Sequence, residues 1–319
     1  MHLYYLFSYY PMKKSFVLTV FATFLFAVIL QNSHAQEQYT VVNSWGQSGR
    51  GEGSFSQLNE VAIDSDDNVY VTDFAATSNQ IQKFSNNGSF IDSWGSLGFG
   101  ANYFSNPTSI AVDSEDNVYV TDFGAPSFAV QKFTSNGTFL NLWGAVGLGN
   151  GQFINPAGIA IDSEGYVYVS DFGENNHVVK FDSNGNLINE WGSAGTGNGQ
   201  FITPTDIAID SQNHVYVGDM GNNRIQVFNS NGEFLRSFGS SGVEGELGGV
   251  GGIAIDPEDN VYVSEPENNR ISIFDVNGTL TNTFGEGQLN FPLGLAIDSE
   301  GKIFVVDRND DRIQVFARR

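Results

Sequence analysis

Four short runs of strand type are separated by turns in the stretch DIAIDSQNHVYVGDMGNNRIQVFNSNGEFLRSFG, residues 206–239. The first two runs are rich in small and β-branched residues, and RIQVF alternates polar and apolar residues with the period of two expected of a strand. Asn231-Gly232 lies between the last two runs, and this dipeptide is a strong hairpin signal, typical of a type I′ turn. The stretch therefore predicts four consecutive antiparallel strands.

The pattern of this stretch recurs along the chain, in six copies. The aspartate that follows the first run recurs at steps of 49, 49, 48, 46 and 42 residues, at Asp64, Asp113, Asp162, Asp210, Asp256 and Asp298. Self-similarity at this period indicates a repeat architecture, and four antiparallel strands repeated radially describe a β-propeller. The sixth copy stops after its third strand, and residues 39–46, which end in Trp-Gly like other fourth strands, supply the missing one. We therefore predict an all-β fold, a six-bladed β-propeller of four-stranded antiparallel blades whose ring is closed by an N-terminal strand joining the C-terminal blade.

Several columns of the repeat agree independently between copies. The lead-in GxGxFxxP is kept best as GNGQFINP at residues 149–156, and it is followed by IAID, VYVxD and NRIQVF in the better-kept copies. From about Tyr39 to the end, this pattern resembles the NHL repeat family. The resemblance implies a six-bladed propeller. Relatives include binding scaffolds, RNA-binding domains, sensor domains of kinases and a peptide-amidating lyase, and fold alone does not choose among these functions.

The first 35 residues differ from the repeats. A basic start, Met12-Lys13-Lys14, precedes a largely apolar run over residues 16–30, and Ser33-His34-Ala35 ends it with small residues. This order is typical of a secretory signal peptide, and the run is short for a membrane span. We expect a signal peptide over residues 1–35, with Met12 as an alternative start, and a secreted or cell-surface propeller over residues 36–319. An uncleaved N-terminal anchor is the other interpretation.

The charge of the chain argues against two classes of partner. It has 36 acidic and 14 basic residues, a formal net charge of −22, and no cysteine. Nucleic-acid affinity depends on Lys and Arg that neutralise phosphates, so we predict no nucleic-acid partner, and anionic membranes are disfavoured for the same reason. The lack of cysteine excludes a disulfide scaffold and thiolate metal sites. Asn87, Asn136 and Asn277 begin glycosylation sequons, although the hairpin turn explains each of them equally well.

An acidic residue ends the second strand of every copy, namely Asp73, Asp122, Asp171, Asp219, Glu265 and Asp307. In copies four to six an arginine follows five residues later (Arg224, Arg270 and Arg312), and we expect it to pair with the acid. In copies one to three the arginine position holds Gln80, Ala129 and His177, and a phenylalanine stands next to the acid instead. The two halves of this face therefore differ in chemistry.

The aromatic half suggests a binding site on the face formed by the loops between strands two and three and between blades. Aromatic anchors beside a few polar groups suit a protein, peptide or saccharide ligand. The candidate ligand-binding residues are Phe74, Phe123, Phe172, Asp73, Asp122, Asp171 and His177. Alternatively, each Phe packs beneath the neighbouring loop and each acid caps backbone N–H groups, because repeat columns often serve packing.

Few residues suit catalysis. Residues 36–319 contain only His177 and His214, which propeller geometry places on opposite faces, so we assign no catalytic residue and no required cofactor. The alternative function is a calcium-dependent hydrolase or lyase, lactonase-like, in which Asp73, Asp122 or Asp171 would bind Ca²⁺ at the channel mouth. The segment DSDDN at residues 64–68 begins like a calcium loop but lacks its later glycine and glutamate, which favours an Asx-type turn. We therefore predict first a secreted binding module.

Overall fold

The six copies of the repeat form six separate four-stranded antiparallel sheets in the computed structural model, which describes residues 37–74, 79–124, 130–240, 242 and 245–319. Each sheet is one blade, numbered one to six like the copies. The predicted signal segment, residues 1–35, lies outside the described residues. Within the described part, no helix is long and apolar enough to cross a membrane. The predicted all-β, six-bladed fold is confirmed.

The first strand of each blade contacts the first strands of both neighbouring blades, so the six together surround the central channel. These inner strands are β2 (Leu58–Ile63), β6 (Pro107–Val112), β10 (Asn155–Ile161), β14 (Pro204–Ile209), β18 (Ile253–Ile255) and β22 (Pro292–Ile297). The second strands are β3 (Val69–Asp73), β7 (Val118–Asp122), β11 (Val167–Phe172), β15 (Val215–Asp219), β19 (Val261–Glu265) and β23 (Ile303–Asp307).

The third and fourth strands complete each blade toward the outside. The third strands are β4 (Gln80–Phe84), β8 (Val130–Phe133), β12 (His177–Phe181), β16 (Arg224–Phe228), β20 (Arg270–Phe274) and β24 (Arg312–Arg318). The outer strands are β5 (Phe90–Trp94), β9 (Phe139–Trp143), β13 (Leu187–Trp191), β17 (Phe234–Phe238), β21 (Leu280–Phe284) and β1 (Tyr39–Trp45). Two single-turn 3₁₀ helices, Met220–Asn222 and Arg308–Asp310, follow β15 and β23.

The last blade is assembled from the first strand of the repeat region and its last three strands. Its strand order is β1-β24-β23-β22, and β1 runs antiparallel to β24 with Tyr39 opposite Arg318 and Trp45 opposite Ile313. The N-terminal strand therefore covers the backbone edge of β24, which would otherwise be free to pair with another chain. This arrangement confirms the predicted ring closure.

The hydrophobic core lies mainly between neighbouring blades. Tyr70, on the second strand of blade one, is fully buried in a cluster that also contains Phe104, Ile110 and Val118 of blade two. The corresponding tyrosines Tyr119, Tyr168 and Tyr216 are fully buried in the same way. Burial of apolar surface is the main favourable term in folding, so contacts between blades hold the ring together.

The Asn-Gly hairpins differ from the predicted type I′ turn. In the first of them only Gly88 has a positive φ, of 85°, whereas a type I′ turn also needs one at Asn87. The Gly88 N–H donates to the Ser85 carbonyl at 2.8 Å, and the pairing of β4 with β5 shifts by one residue at Lys83 and Phe84. This is a type I turn followed by a left-handed glycine in a bulge, the usual form when three residues connect the strands. The type I′ prediction was wrong because the loop is one residue longer than it requires.

Candidate functional site

The acids that end the second strands hold the lead-in loops of their own blades. The Asp73 carboxylate accepts hydrogen bonds from the backbone N–H groups of Ser56 at 2.9 Å and Gln57 at 3.0 Å. Asp122 and Asp171 are fully or almost fully buried and make the same pair of contacts in blades two and three. Burial raises the pKa of Asp73, which the two backbone donors partly oppose. These contacts follow the backbone-capping alternative from the sequence.

The arginines of blades four to six pair with these acids as the sequence predicted. The nitrogen–oxygen distances are 2.8 Å for Arg224 with Asp219, 2.9 Å for Arg270 with Glu265 and 2.7 Å for Arg312 with Asp307. In blade three, His177 occupies the arginine position, and its Nε2 lies 3.5 Å from Asp171 Oδ2. The acid column is therefore paired with arginine in blades four to six, whereas His177 Nε2 is buried without a hydrogen-bond partner among the described residues of blade three.

The three predicted phenylalanines are partly buried and fall into two groups. Phe123 and Phe172 lie side by side, with ring centroids 6.1 Å apart and planes inclined by 34°. Phe74 instead lies beneath the Arg308 guanidinium of blade six, whose carbon is 5.8 Å from the ring centroid. The Arg308 guanidinium also donates to Asn59 Oδ1 at 3.2 Å, and its burial lowers its pKa. The aromatic residues thus do not form one continuous platform.

A cavity of about 760 Å³ lies at the channel mouth on this face. All six blades contribute to its lining, and its wall is largely apolar, with Phe172, Met220, Val250, Pro266, Phe291 and Leu293. Two charged side chains, Glu267 and Arg308, belong to the lining as well. Of the seven residues predicted for ligand binding, only Phe172 lines this cavity. Its apolar wall comes mostly from blades four to six, opposite to the half that the sequence emphasised.

Three polar side chains of the cavity lining are almost completely buried on the inner strands. Glu60, Ser109 and Asp206 have relative exposures of 7%, 4% and 8%. Glu60 Oε1 accepts the Val61 N–H at 3.0 Å, and Asp206 Oδ2 accepts the Ile253 N–H at 2.7 Å. The Ser109 hydroxyl has no hydrogen-bond partner among the described residues. We call these three side chains the channel triad.

Burial dominates the electrostatics of the triad. It raises the pKa of Asp206 to about 7, although the Ile253 and Ile207 N–H groups act in the opposite direction. Burial also raises the pKa of Glu60 well above its usual range, and the negative charge of Asp206 raises it further. The negative charge of one carboxyl group thus disfavours ionisation of the other, and burial disfavours ionisation of both.

The sequence interpretation missed Glu60 and Asp206, although a signal for them exists. Both occupy a column of the repeat that elsewhere holds only small residues, Ser109, Gly158, Gly252 and Gly294. The small residues are required because the inner strands converge: a Cβ at Gly158 would lie 2.6 Å from Asp206 Cα, and one at Gly294 would collide with the Glu60 carboxylate. Acids in a column of small residues are exceptions to the repeat, and such exceptions point to a site.

The opposite face carries the turns between strands one and two and the hairpins between strands three and four. Asp64 Oδ1 accepts the N–H groups of Asp66 at 3.1 Å and Asn68 at 2.7 Å, which is the Asx-type turn that we expected. Although burial opposes it, hydrogen bonds from Asn68 and Tyr70 lower the pKa of Asp64 overall. His214 lies on this face, with Nδ1 2.8 Å from Asp210 Oδ2. The two histidines therefore serve different blades and different faces.

The fold defines the class of protein: it is a six-bladed β-propeller whose ring is closed by the pairing of β1 with β24. The NHL repeat model matches four of its segments, residues 104–133, 153–181, 201–228 and 289–316, so the propeller contains NHL repeats. The matches cover copies two, three, four and six. A comparison with curated proteins found no match.

Solved structures with the same architecture have different functions. A protein of unknown function from Bacteroides thetaiotaomicron is 16% identical, with a TM-score of 0.66 over 89% of this chain and 76% of its own. A gluconolactonase from Xanthomonas campestris is 11% identical, with a TM-score of 0.64 over 91% and 93%. A streptogramin B lyase is 14% identical, with a TM-score of 0.62 over 89% and 98%. At these identities the likeness concerns the fold alone.

Proposed function

We propose that this protein is a secreted binding module that takes a protein, peptide or saccharide ligand at the channel mouth, on the face of the strand two–three and inter-blade loops. The cavity of about 760 Å³ is the observation that supports this function most directly. Ligand pockets typically measure about 300–1,000 Å³ and combine apolar walls with a few fixed polar groups. The cavity has both features, because Met220, Pro266 and Phe291 form part of its wall and the channel triad lies on its lining.

The loops around this cavity are held in place before any ligand arrives. The acid at the end of each second strand is bonded to backbone N–H groups 16 or 17 residues earlier, as for Asp219 with Ile202 at 2.8 Å and Asp307 with Asn290 at 2.6 Å. A preorganised site loses less conformational entropy when it binds. The acid column therefore supports binding indirectly, by fixing the mouth.

The charge of the molecule supports the choice of partner. The net charge is −22, and Arg308 is the basic residue among the described residues that line the cavity. Nucleic acids require several phosphate-neutralising cations. We therefore propose a neutral or cationic ligand rather than a nucleic acid.

The binding function is tested with glycan and peptide arrays, probed with the wild-type chain and with the double variant Met220→Ala, Phe291→Ala. Both side chains are partly exposed, at 39%, so their truncation should leave the fold intact while removing part of the apolar wall. Leu235→Ala is the matched control, because Leu235 is 44% exposed on the outer strand β17. We expect the arrays to contain ligands to which the wild type and the control bind and the double variant does not. Equal binding by all three proteins would contradict a site at the channel mouth.

A calcium-dependent hydrolase or lyase is the second candidate function, and its support is a fold shared with a gluconolactonase and a streptogramin B lyase. The carboxylates first considered for Ca²⁺, those of Asp73, Asp122 and Asp171, belong to different blades and accept backbone N–H groups, which fits an ion poorly. If the protein is a binding module, a chelator should leave its melting temperature unchanged, because a ligand stabilises only where it is bound. A drop of many degrees that Ca²⁺ reverses would favour the second candidate.

A further inference from the structure

The channel triad offers three buried hydrogen-bond acceptors in one cavity. Glu60 accepts the backbone N–H groups of Val61 and Leu295, and Asp206 accepts those of Ile253 and Ile207. A carboxyl group has further lone pairs after two such bonds, and the Ser109 hydroxyl has no partner among the described residues. Buried polar groups are normally hydrogen-bonded, and an unpartnered one needs an explanation. A ligand that enters the channel and donates to all three groups would supply the missing contacts.

From this geometry we infer that the channel triad binds the ammonium group of an alkylammonium ligand, such as a lysine side chain of a peptide or a free alkylamine. An ammonium group has three N–H donors and no acceptor, which matches the three available acceptors in number and in kind. The inference rests on the proposed binding function and names the chemistry that its ligand presents.

The walls of the cavity fit the remainder of such a ligand. The remainder of the lining is largely apolar, with the fully buried Val250 and with Leu293, Pro266 and Met220. Lysine and alkylamines carry their charge at the end of an apolar stem, which gains free energy by burial along an apolar wall. A saccharide without an amine would bring no apolar stem to this wall and no positive charge to the two carboxyl groups.

The charges that face the triad favour a cation. The inner strands β2, β6, β10, β14, β18 and β22 carry no titratable side chain other than Glu60 and Asp206. Two charges of opposite sign, Glu267 and Arg308, stand in the remaining lining. Since burial raises the pKa of both triad carboxyl groups, an arriving ammonium ion should favour their ionised forms and release protons. Affinity is therefore expected to increase as the pH rises through about 7.

A calcium ion is the competing occupant of an acidic channel. Calcium takes six to eight oxygen ligands, whereas the triad supplies two carboxyl groups and one hydroxyl. The triad also shares its cavity with an apolar wall, which a bare ion does not use. We therefore commit to the alkylammonium group and treat calcium as an outcome of the test.

The test is calorimetric titration of the full chain with hexylammonium chloride and with a neutral peptide that contains one lysine. 1-Hexanol keeps the stem without the charge, and hexyltrimethylammonium keeps the charge without the N–H donors. Asp206→Asn and Glu60→Gln each replace an ionisable carboxyl group by a neutral amide, and Ser109→Ala removes the hydroxyl group. Glu258→Gln is the control, since it removes one exposed carboxylate outside the cavity.

We expect hexylammonium to bind the wild type and Glu258→Gln equally, with proton release, and the acid variants to bind roughly tenfold or more weakly. Ser109→Ala deletes an unpartnered hydroxyl and should fold normally, so its weaker binding tests the inference even if an acid variant is unstable. Hexanol and hexyltrimethylammonium should bind less tightly than hexylammonium. Stronger binding of the lysine peptide than of hexylammonium would identify a peptide as the source of the amine, and the reverse would identify a free amine.

Equal affinity of wild type and Asp206→Asn for hexylammonium, or no affinity in the wild type, would overturn the inference. Calcium binding that depends on Glu60 while hexylammonium fails to bind would overturn it in favour of an ion. If array ligands require Met220 and Phe291 for binding but hexylammonium does not bind, only the ammonium inference is refuted. If hexylammonium binds but no array ligand does, only the proposal that the ligand is a protein, peptide or saccharide is refuted.

Discussion

Tyr39 stacks on Phe284, with ring centroids 4.4 Å apart and planes inclined by only 18°. Tyr39 begins β1, the outer strand of blade six, whereas Phe284 ends the outer strand of blade five. The Tyr39 hydroxyl lies 3.2 Å from the hydroxyl of Tyr262, which also belongs to blade five. The N-terminal strand therefore joins two blades: it pairs its backbone with blade six and packs its first aromatic side chain on blade five.

Deletion of residues 37–46 should make the protein insoluble or strongly destabilised. The deletion uncovers the backbone edge of β24 around Ile313 and Phe316 and removes the stacking on Phe284. Solubility and thermal unfolding of the full chain and the deleted chain give the measurement. Val42→Ala is the control, because Val42 is 54% exposed on the same strand. A deleted chain as soluble and heat-resistant as its parent would contradict closure by the N-terminal strand.

Gly88→Ala should destabilise the protein more than Gly165→Ala does. Both glycines have a left-handed backbone, with φ of 85° and 83°, so both substitutions incur a conformational penalty of about 1 kcal/mol. A Cβ at Gly88 would also lie 2.6 Å from the Trp45 ring, whereas a Cβ at Gly165 meets nothing within 4 Å. The additional overpacking typically costs about 1–3 kcal/mol. Urea denaturation of both variants measures the difference, and equal losses would show that the turn does not pack on the tryptophan.

The columns that all copies share were predictable from the sequence, because each copy is evidence for the others. The acid column, the six blades and the closing strand follow from this agreement, and the arginine pairing follows from the three copies that carry the arginine. The channel triad was not predicted, since Glu60 and Asp206 are exceptions within a column of small residues. The cavity wall was not predicted either, because Met220, Pro266 and Phe291 stand at loop positions where the copies differ. Repetition thus indicates the scaffold, and departures from it indicate the site.

Phe172→Ala should weaken ligand binding, whereas Phe123→Ala should affect it less. Both rings are partly buried and contact each other, but only Phe172 lines the cavity. Because neither is fully buried, each truncation should cost less stability than the roughly 3–5 kcal/mol typical of a core phenylalanine. Thermal unfolding and binding of an array-identified ligand provide the two measurements. Severe unfolding of both variants would show that these residues pack the scaffold and do not anchor a ligand.

The free energy of unfolding should decrease as the pH rises from about 5 to about 8. The pKa of Asp206 is 3.8 in its ordinary state and is raised to about 7 by burial in the folded protein, so over this interval the folded state holds a proton that the unfolded state has lost. When the folded state binds more protons, stability falls as the pH rises. The raised pKa of Glu60 acts in the same direction. Carboxylates with lowered pKa values, such as Asp64, act oppositely but only at more acidic pH.

Asp206→Asn should flatten this dependence and make the protein more stable than the wild type at pH 8. The asparagine oxygen keeps an acceptor for the Ile253 N–H, while the ionisable group that is costly to bury is gone. Urea denaturation at pH 5, 6.5 and 8 measures the free energies, and Glu258→Gln serves as the exposed control that should follow the wild type. The same variant should bind hexylammonium poorly, so greater stability and weaker binding are expected from one substitution. A wild-type stability that stays constant or rises between pH 5 and 8 would show that Asp206 is ionised in the folded channel throughout.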